Sequence, residues 1–126
     1  NNHISDSPPK NLDKSFGEIN ETWSSRVAGQ VNDMQVKLAK FSGKFVWHYH
    51  PVEDELFFVH RGKLMMKFRD RDEIINEGEF IIVPHGVEHC PVAISEVCEV
   101  VLLEPGSLVT VDNATIRRKV TELDQR

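Results

Sequence analysis

The sequence predicts an all-β protein, one barrel with a short N-terminal helix, and three observations carry that reading. From about Val27 to Leu103, short apolar runs rich in β-branched and aromatic residues are separated by Gly, Pro, Asn and Asp, at the spacing of a sandwich or barrel. No helical pattern separates these runs, which excludes the β-α-β alternation of a parallel doubly wound sheet. The chain has 126 residues, 40% of them hydrophobic and 28% charged, so it is large enough to bury a core without disulfides and is expected to form one domain. Its expected parts are an arm and helix over residues 1–26, the barrel over 27–104 and a tail over 105–126.

The elements follow in chain order. Residues 1–11 carry Ser7-Pro8-Pro9 and little that is apolar, and read as a mobile arm. Leu12, Phe16, Ile19 and Trp23 recur at spacings of four, three and four. That spacing predicts a short amphipathic helix or helical turn whose apolar face covers the outside of the barrel. The expected strands, about eight in number, run over Met34 to Phe41, Phe45 to His50, Glu55 to His60, Lys63 to Phe68, Asp72 to Ile75, Phe80 to Val83, Glu88 to Ile94 and Glu96 to Leu103. Gly43, Gly62, Gly78 and Gly86 fall between several of them, where tight connections are needed. The tail is polar with scattered Val109, Val111, Ile116, Val120 and Leu123, and reads as a loop followed by a short element.

Two runs, Leu56-Phe57-Phe58-Val59 and Val100-Val101-Leu102-Leu103, are apolar on both faces, so their outer faces need a cover. The N-terminal helix can cover one, and a two-fold homodimer packed sheet against sheet is expected to cover the other. The formal net charge of −5 gives no attraction to a phosphate backbone, and the one dense basic run, Arg117-Arg118-Lys119, sits among acidic neighbours. Nucleic acid is therefore not an expected partner. Cys90 and Cys98 have no metal-knuckle spacing and no disulfide framework, and read as free thiols. No apolar run approaches the roughly 20 residues of a membrane span, and Asn1-Asn2-His3 lacks a signal-peptide pattern, so a cytoplasmic location is expected.

The chemistry concentrates in a few residues. In the strand-like run His48-Tyr49-His50, alternation puts the two imidazoles on one face and Tyr49 on the other. Glu55 follows after Pro51, so its carboxylate can return on the next strand beside the histidines. His89 comes after the turn-forming Pro84-His85-Gly86 of a later hairpin. Together the four can hold a divalent ion, with His nitrogen and carboxylate oxygen at roughly 2.0–2.2 Å. Each histidine alone reads more readily as a satisfied core or surface residue, and Glu55 stands beside the rival carboxylates Glu53 and Asp54.

The spacing of these residues resembles both signature blocks of the cupin superfamily. The first block, G(x)5HxH(x)3-4E(x)6G, is matched by Gly43, His48, His50, Glu55 and Gly62. The second, G(x)5PxG(x)2H(x)3N, is matched by Gly78, Pro84, Gly86 and His89. Four residues rather than five separate Gly43 from His48, and Ala93 stands where the family usually has Asn. The resemblance implies a small jelly-roll barrel and assigns one divalent transition metal (Fe, Mn, Ni, Co, Cu or Zn) to His48, His50, Glu55 and His89. It also selects Glu55 over Glu53 and Asp54, since only Glu55 has the required interval to Gly62.

Such a site leaves coordination positions open, as a catalytic metal requires. The superfamily includes dioxygenases, sugar-phosphate isomerases and epimerases, and decarboxylases, and fold does not choose among them. The expectation is a metalloenzyme acting on a small molecule by dioxygenase-like or isomerase-like chemistry; the alternative is a non-catalytic small-molecule binding or sensing module. No general acid or base can be assigned from the sequence, although Glu53, Asp54 and Lys37 are candidates to stand behind the ligands. His85 and His60 read as rim and hairpin surface residues. Cys90 is expected to point away from the metal. Trp47 and Tyr49 also face away and are expected to pack under the helix or a partner chain.

Overall fold

The structure, a computed structural model, describes residues 8–108 and 110–112. Period-two patterning produces strands wherever the sequence alternates, and β9 (Cys98–Pro105) shows it most cleanly. Cys98, Val100, Leu102 and Glu104 turn inward and are buried, while the residues between them are only half-buried. β4 (Glu55–Arg61) does the same, with Glu55, Phe57 and Val59 inward. The remaining strands are β1 (Arg26–Val31), β2 (Met34–Phe41), β3 (His48–Tyr49), β5 (Leu64–Phe68), β6 (Asp72–Ile75), β7 (Phe80–Val83), β8 (His89–Ala93) and β10 (Val111–Asp112).

These strands form two five-stranded antiparallel sheets of order β1-β2-β9-β4-β7 and β10-β3-β8-β5-β6. They face each other as the walls of a jelly-roll barrel. Inward side chains of both sheets, among them Phe57, Val59, Leu64, Met66 and Val100, are at most 2% exposed and form one core. Each such side chain stabilises the fold by roughly 1.5–3 kcal/mol of transfer free energy.

The helix is shorter than the apolar spacing predicts. α1 (Leu12–Gly17) is capped by the Asn11 side chain, which accepts from the Lys14 N–H, and it ends before Ile19. Phe16 and Ile19 bury against Leu38, with Val101 packed beside them, so the helix covers part of the outer face of β2 and β9. Trp23 is not on that helical face. It lies at a bend in the segment that follows and turns toward the barrel interior.

Two strands escape the sequence reading. β1 is almost wholly exposed, and only pairing with β2, with a bulge between Val27 and Gly29, defines it. β10 is two residues long, paired with β3. Conversely, Phe45 to Trp47 are not strand, and β3 is only His48–Tyr49. The expected hairpin before His89 is instead a crossing between sheets, because β7 pairs with β4 whereas β8 pairs with β3 and β5. Gly62 makes another crossing, between β4 and β5, at φ +94°. A Cβ there would stand 2.7 Å from the Val97 carbonyl oxygen, so only glycine fits. Ser7 and the rest of residues 1–7, Val109 and residues 113–126, with Ile116, Val120, Leu123 and the basic run, lie outside the described residues.

Both cysteines are buried free thiols, as the sequence suggests. Burial pushes Cys98 up to about 12 and raises Cys90 as well, which keeps both thiols protonated and inert. No helix among the described residues is long and apolar enough to cross a membrane.

Candidate metal centre

The structure brings His48, His50, Glu55 and His89 together, all buried, with one ligand atom from each lying within 4.8 Å of the others. Their placement follows from strand geometry. His48 stands directly opposite His89 in the β3–β8 pair, and the two rings lie 4.2 Å apart between centroids. His50, two residues on, returns to the same face, 5.2 Å from the His48 ring. Glu55 returns on the next strand of the chain, as the sequence suggests, but that strand does not pair with β3. β4 belongs to the opposite sheet, so the carboxylate reaches the three imidazoles from across the barrel.

The turn Pro84-His85-Gly86 braces this arrangement. The Gly86 N–H donates to the His50 carbonyl at 2.8 Å, and the His85 N–H donates to Asp54 at 2.9 Å. Backbone carbonyls then set two tautomers. His48 Nδ1–H donates to Val46 O at 2.9 Å, and His89 Nδ1–H donates to Val87 O at 2.8 Å. Each leaves Nε2 as a lone pair directed into the cluster. His89 Nε2 is buried and has no hydrogen-bond partner. An unpaired buried acceptor costs on the order of 1–3 kcal/mol, and a cation at this point removes that cost. The residues present therefore fit a divalent ion of the kind that takes nitrogen and oxygen ligands.

The electrostatics point the same way. Burial holds His48 below the ordinary histidine range and pushes His89 down to about 3, with neighbouring imidazoles adding to the effect. Both are neutral, the form that ligates. Burial pushes Glu55 up to about 7, against the His50 hydrogen bond at 2.9 Å and with help from Glu104.

Glu104 was not foreseen. It is 3% exposed at the inward-facing end of β9, hydrogen-bonded to Glu55 and bound by Lys37 Nζ at 2.9 Å. Burial raises its carboxyl, but the bonds from Glu55 and Lys37 outweigh that and hold it low. Extending the alternation of Cys98, Val100 and Leu102 by one step would have found it.

The other candidates separate. Lys37 reaches the ligands only through Glu104. Asp54 lies at the exposed rim, 3.0 Å from His85 Nδ1. Glu53 is buried but is not one of the four clustered residues. His60 lies on the outer face, stacked on Phe16 and bonded to Asp13. Cys90 turns its thiol to the Phe45 carbonyl. Trp47 packs beneath the Arg69 guanidinium, 3.8 Å from its ring centroid, and not under the helix; Tyr49 pairs with Val111.

Beside the cluster is a cavity of about 180 Å³, lined in part by His48, His50, Glu55, Glu104, Trp23 and Thr110. Residues 34–111 match the family described as Cupin domain. The chain is a cupin. The uncharacterized protein YdbB of Bacillus subtilis (strain 168) is 35% identical over 81 residues, covering 64% of this cupin and 72% of YdbB. A solved cupin-2 domain containing protein from Shewanella frigidimarina NCIMB 400 is 43% identical, with a TM-score of 0.74 over 76% of this chain and 93% of that one. Protein NMB1881 from Neisseria meningitidis is 30% identical, with a TM-score of 0.71 over 79% of this cupin and 100% of that chain.

Proposed function

We propose that this cupin is a metalloenzyme acting on a small molecule, with one divalent transition metal held by His48, His50, Glu55 and His89. The observation that carries the reading is the buried His89 Nε2, set in a cluster with three further ligand atoms and without a hydrogen-bond partner among the described residues. A bound ion would supply Lewis acidity, or redox chemistry if it is Fe or Mn, at a position open to the cavity. The chain's own residues do the rest. The carbonyls of Val46 and Val87 fix two imidazole tautomers, Glu104 and Lys37 hold Glu55, and the largely apolar cavity wall would pack against the bound molecule.

Dioxygenase-like and isomerase-like reactions both suit such a site, and a non-catalytic binding or sensing role is the alternative reading. Elemental analysis of the chain purified without added metal or chelator, beside His48→Ala/His50→Ala, is the test. About one transition metal per wild-type chain, absent from the variant, supports the reading and directs the substrate screen; no metal in either, even after reconstitution, sinks it.

The proposal includes a homodimer in the cytoplasm. Phe80 and Ile82 are 61% and 53% exposed on the outer face of β7, beside half-buried Leu56 and Phe58 of β4, beyond the part of that sheet covered by α1. A second copy packed on this face would bury them. Light scattering should give twice the chain mass for the wild type and the chain mass for Ile82→Lys.

A further inference from the structure

We infer that the cavity beside the four-residue cluster takes an uncharged molecule about the size of one six-membered ring and excludes phosphorylated ligands. The selecting wall is Trp23, supplied by the N-terminal segment. This deepens, and rests on, the reading of that cavity as the site where a small molecule binds.

Size comes first. A volume of about 180 Å³ is close to the roughly 150 Å³ that accommodates benzene in an apolar protein cavity, and well below the roughly 300–1,000 Å³ of sites for drug-sized ligands. A nucleotide or disaccharide would project beyond this volume.

Charge comes second. Among the described residues no lysine or arginine lines the cavity; its ionisable lining is His48, His50, Glu55 and Glu104. Lys37, which reaches the lining residue Glu104, is already bound to it at 2.9 Å. A ligand whose reacting end meets the cluster must lay its other end against Trp23, Phe41, Leu102 and Leu108. A phosphate there would be a half-buried dianion with no cationic side chain beside it among the described residues. An uncharged ligand meets apolar wall, and its hydroxyls find acceptors in Glu104, Ser25 and Thr110.

The third observation concerns how the wall is held. Trp23 has φ +61°, a left-handed conformation that a bulky residue adopts only when its surroundings enforce it. Here they do. Its backbone N–H donates to Lys40 O at 2.8 Å and its indole Nε1–H to Ser42 O at 2.8 Å. Its ring stacks on Phe41 and Phe45 with centroids 4.3 and 4.7 Å apart, and Phe45 in turn packs edge-on to His48. Lys40 Nζ ties down the same segment through the Ile19 carbonyl. Trp23 and Ser25 both precede residue 34, where the family match begins, so part of the cavity wall comes from residues outside the matched cupin segment.

Calorimetric titration of phenol and of glucose 6-phosphate into the full chain at pH 7, chelator-treated and zinc-loaded, tests the inference. Phenol should bind saturably in both states and at least about tenfold more tightly than glucose 6-phosphate. Trp23→Leu should weaken phenol binding by about tenfold, and Trp23→Phe should largely retain it, with zinc content unchanged in both. Three results overturn the inference: glucose 6-phosphate binding as well as phenol, no phenol binding in either state, or a folded Trp23→Leu chain that binds phenol like the wild type. If Trp23→Leu does not fold, the discrimination between the two probes by the unsubstituted chain decides. Phenol binding by a chain that never takes up metal would defeat the metalloenzyme reading and leave this one standing.

Discussion

Two groups of histidines and carboxylates in this cupin have similar composition and opposite circumstances. His48, His50, Glu55 and His89 lie inside the barrel; Asp13, His60 and Glu99 lie outside it, also with ligand atoms within 4.8 Å of one another. Outside, the charges already answer each other. Asp13 accepts from His60 at 2.7 Å and from Arg61 at 3.0 Å, and Arg61 Nε stands 3.8 Å from the Glu99 oxygen that lacks a hydrogen bond. With Phe16 stacked on His60, this group clasps α1 to the sheet. Inside, among the described residues, no lysine or arginine lines the cavity beside the ligands, and His89 Nε2 has no hydrogen-bond partner. Residue type is shared by the two groups; an unanswered, buried lone pair belongs to a histidine of only one. That difference marks the inner group as the metal candidate.

The sharpest test of the comparison removes one histidine from each group. His89→Ala should lower zinc affinity by more than about a hundredfold, and His60→Ala should leave it unchanged, as read by competition with a chromophoric chelator. Equal losses would erase the distinction.

Phe16→Ala addresses the outer group's structural role. It removes a fully buried ring and should cost about 3 kcal/mol in urea unfolding while metal content stays at the wild-type level.

The pH response sharpens the inner group. His89, lowered from 6.5 to about 3, contributes stability that is present above 6.5 and lost as pH falls toward 3. Glu55, raised from 4.5 to about 7, contributes stability that is present below 4.5 and lost as pH rises through 7. In the chelator-treated protein Glu55 opposes both His89 and His48, which burial also lowers, between 4.5 and 6.5, and calorimetry should find a melting temperature that rises only gently with pH across that window. With metal bound Glu55 is ionised, so its opposing contribution disappears and the melting temperature should climb with pH.

Lys37→Met, which frees Glu104 from its partner, should weaken zinc binding by about tenfold. The smallest effect belongs to Asp13→Asn. An exposed ion pair contributes little, so the melting temperature should move by no more than about 2 °C and the metal not at all.

The legibility of the sequence tracks how local each signal is. Most strands between Met34 and Leu103 are visible because short apolar runs broken by turn residues are a property of neighbouring residues, and the four inner residues are visible because their intervals resemble two family blocks. β1 was not visible, since its residues are nearly all exposed and carry no apolar face. Trp23 was assigned to a helical face by spacing alone. The helix ends at Gly17, and the stack on Phe41 and Phe45 takes the ring elsewhere. Glu104 was passed over because a carboxylate at the end of an apolar run reads as the strand's edge.

By itself the sequence determined the strand pattern, the common face of His48 and His50, and the free state of Cys90 and Cys98. Tertiary structure alone decided that Glu55 meets the histidines from the opposite sheet, that Glu104 and Lys37 stand behind it, and that Trp23 lines the cavity. The physical reason is range. A strand's two faces are fixed by the pleat, residue by residue. Which strand lies across from which is fixed by pairing and burial between segments far apart in the chain, as where β2 is joined to β9 and β3 to β8.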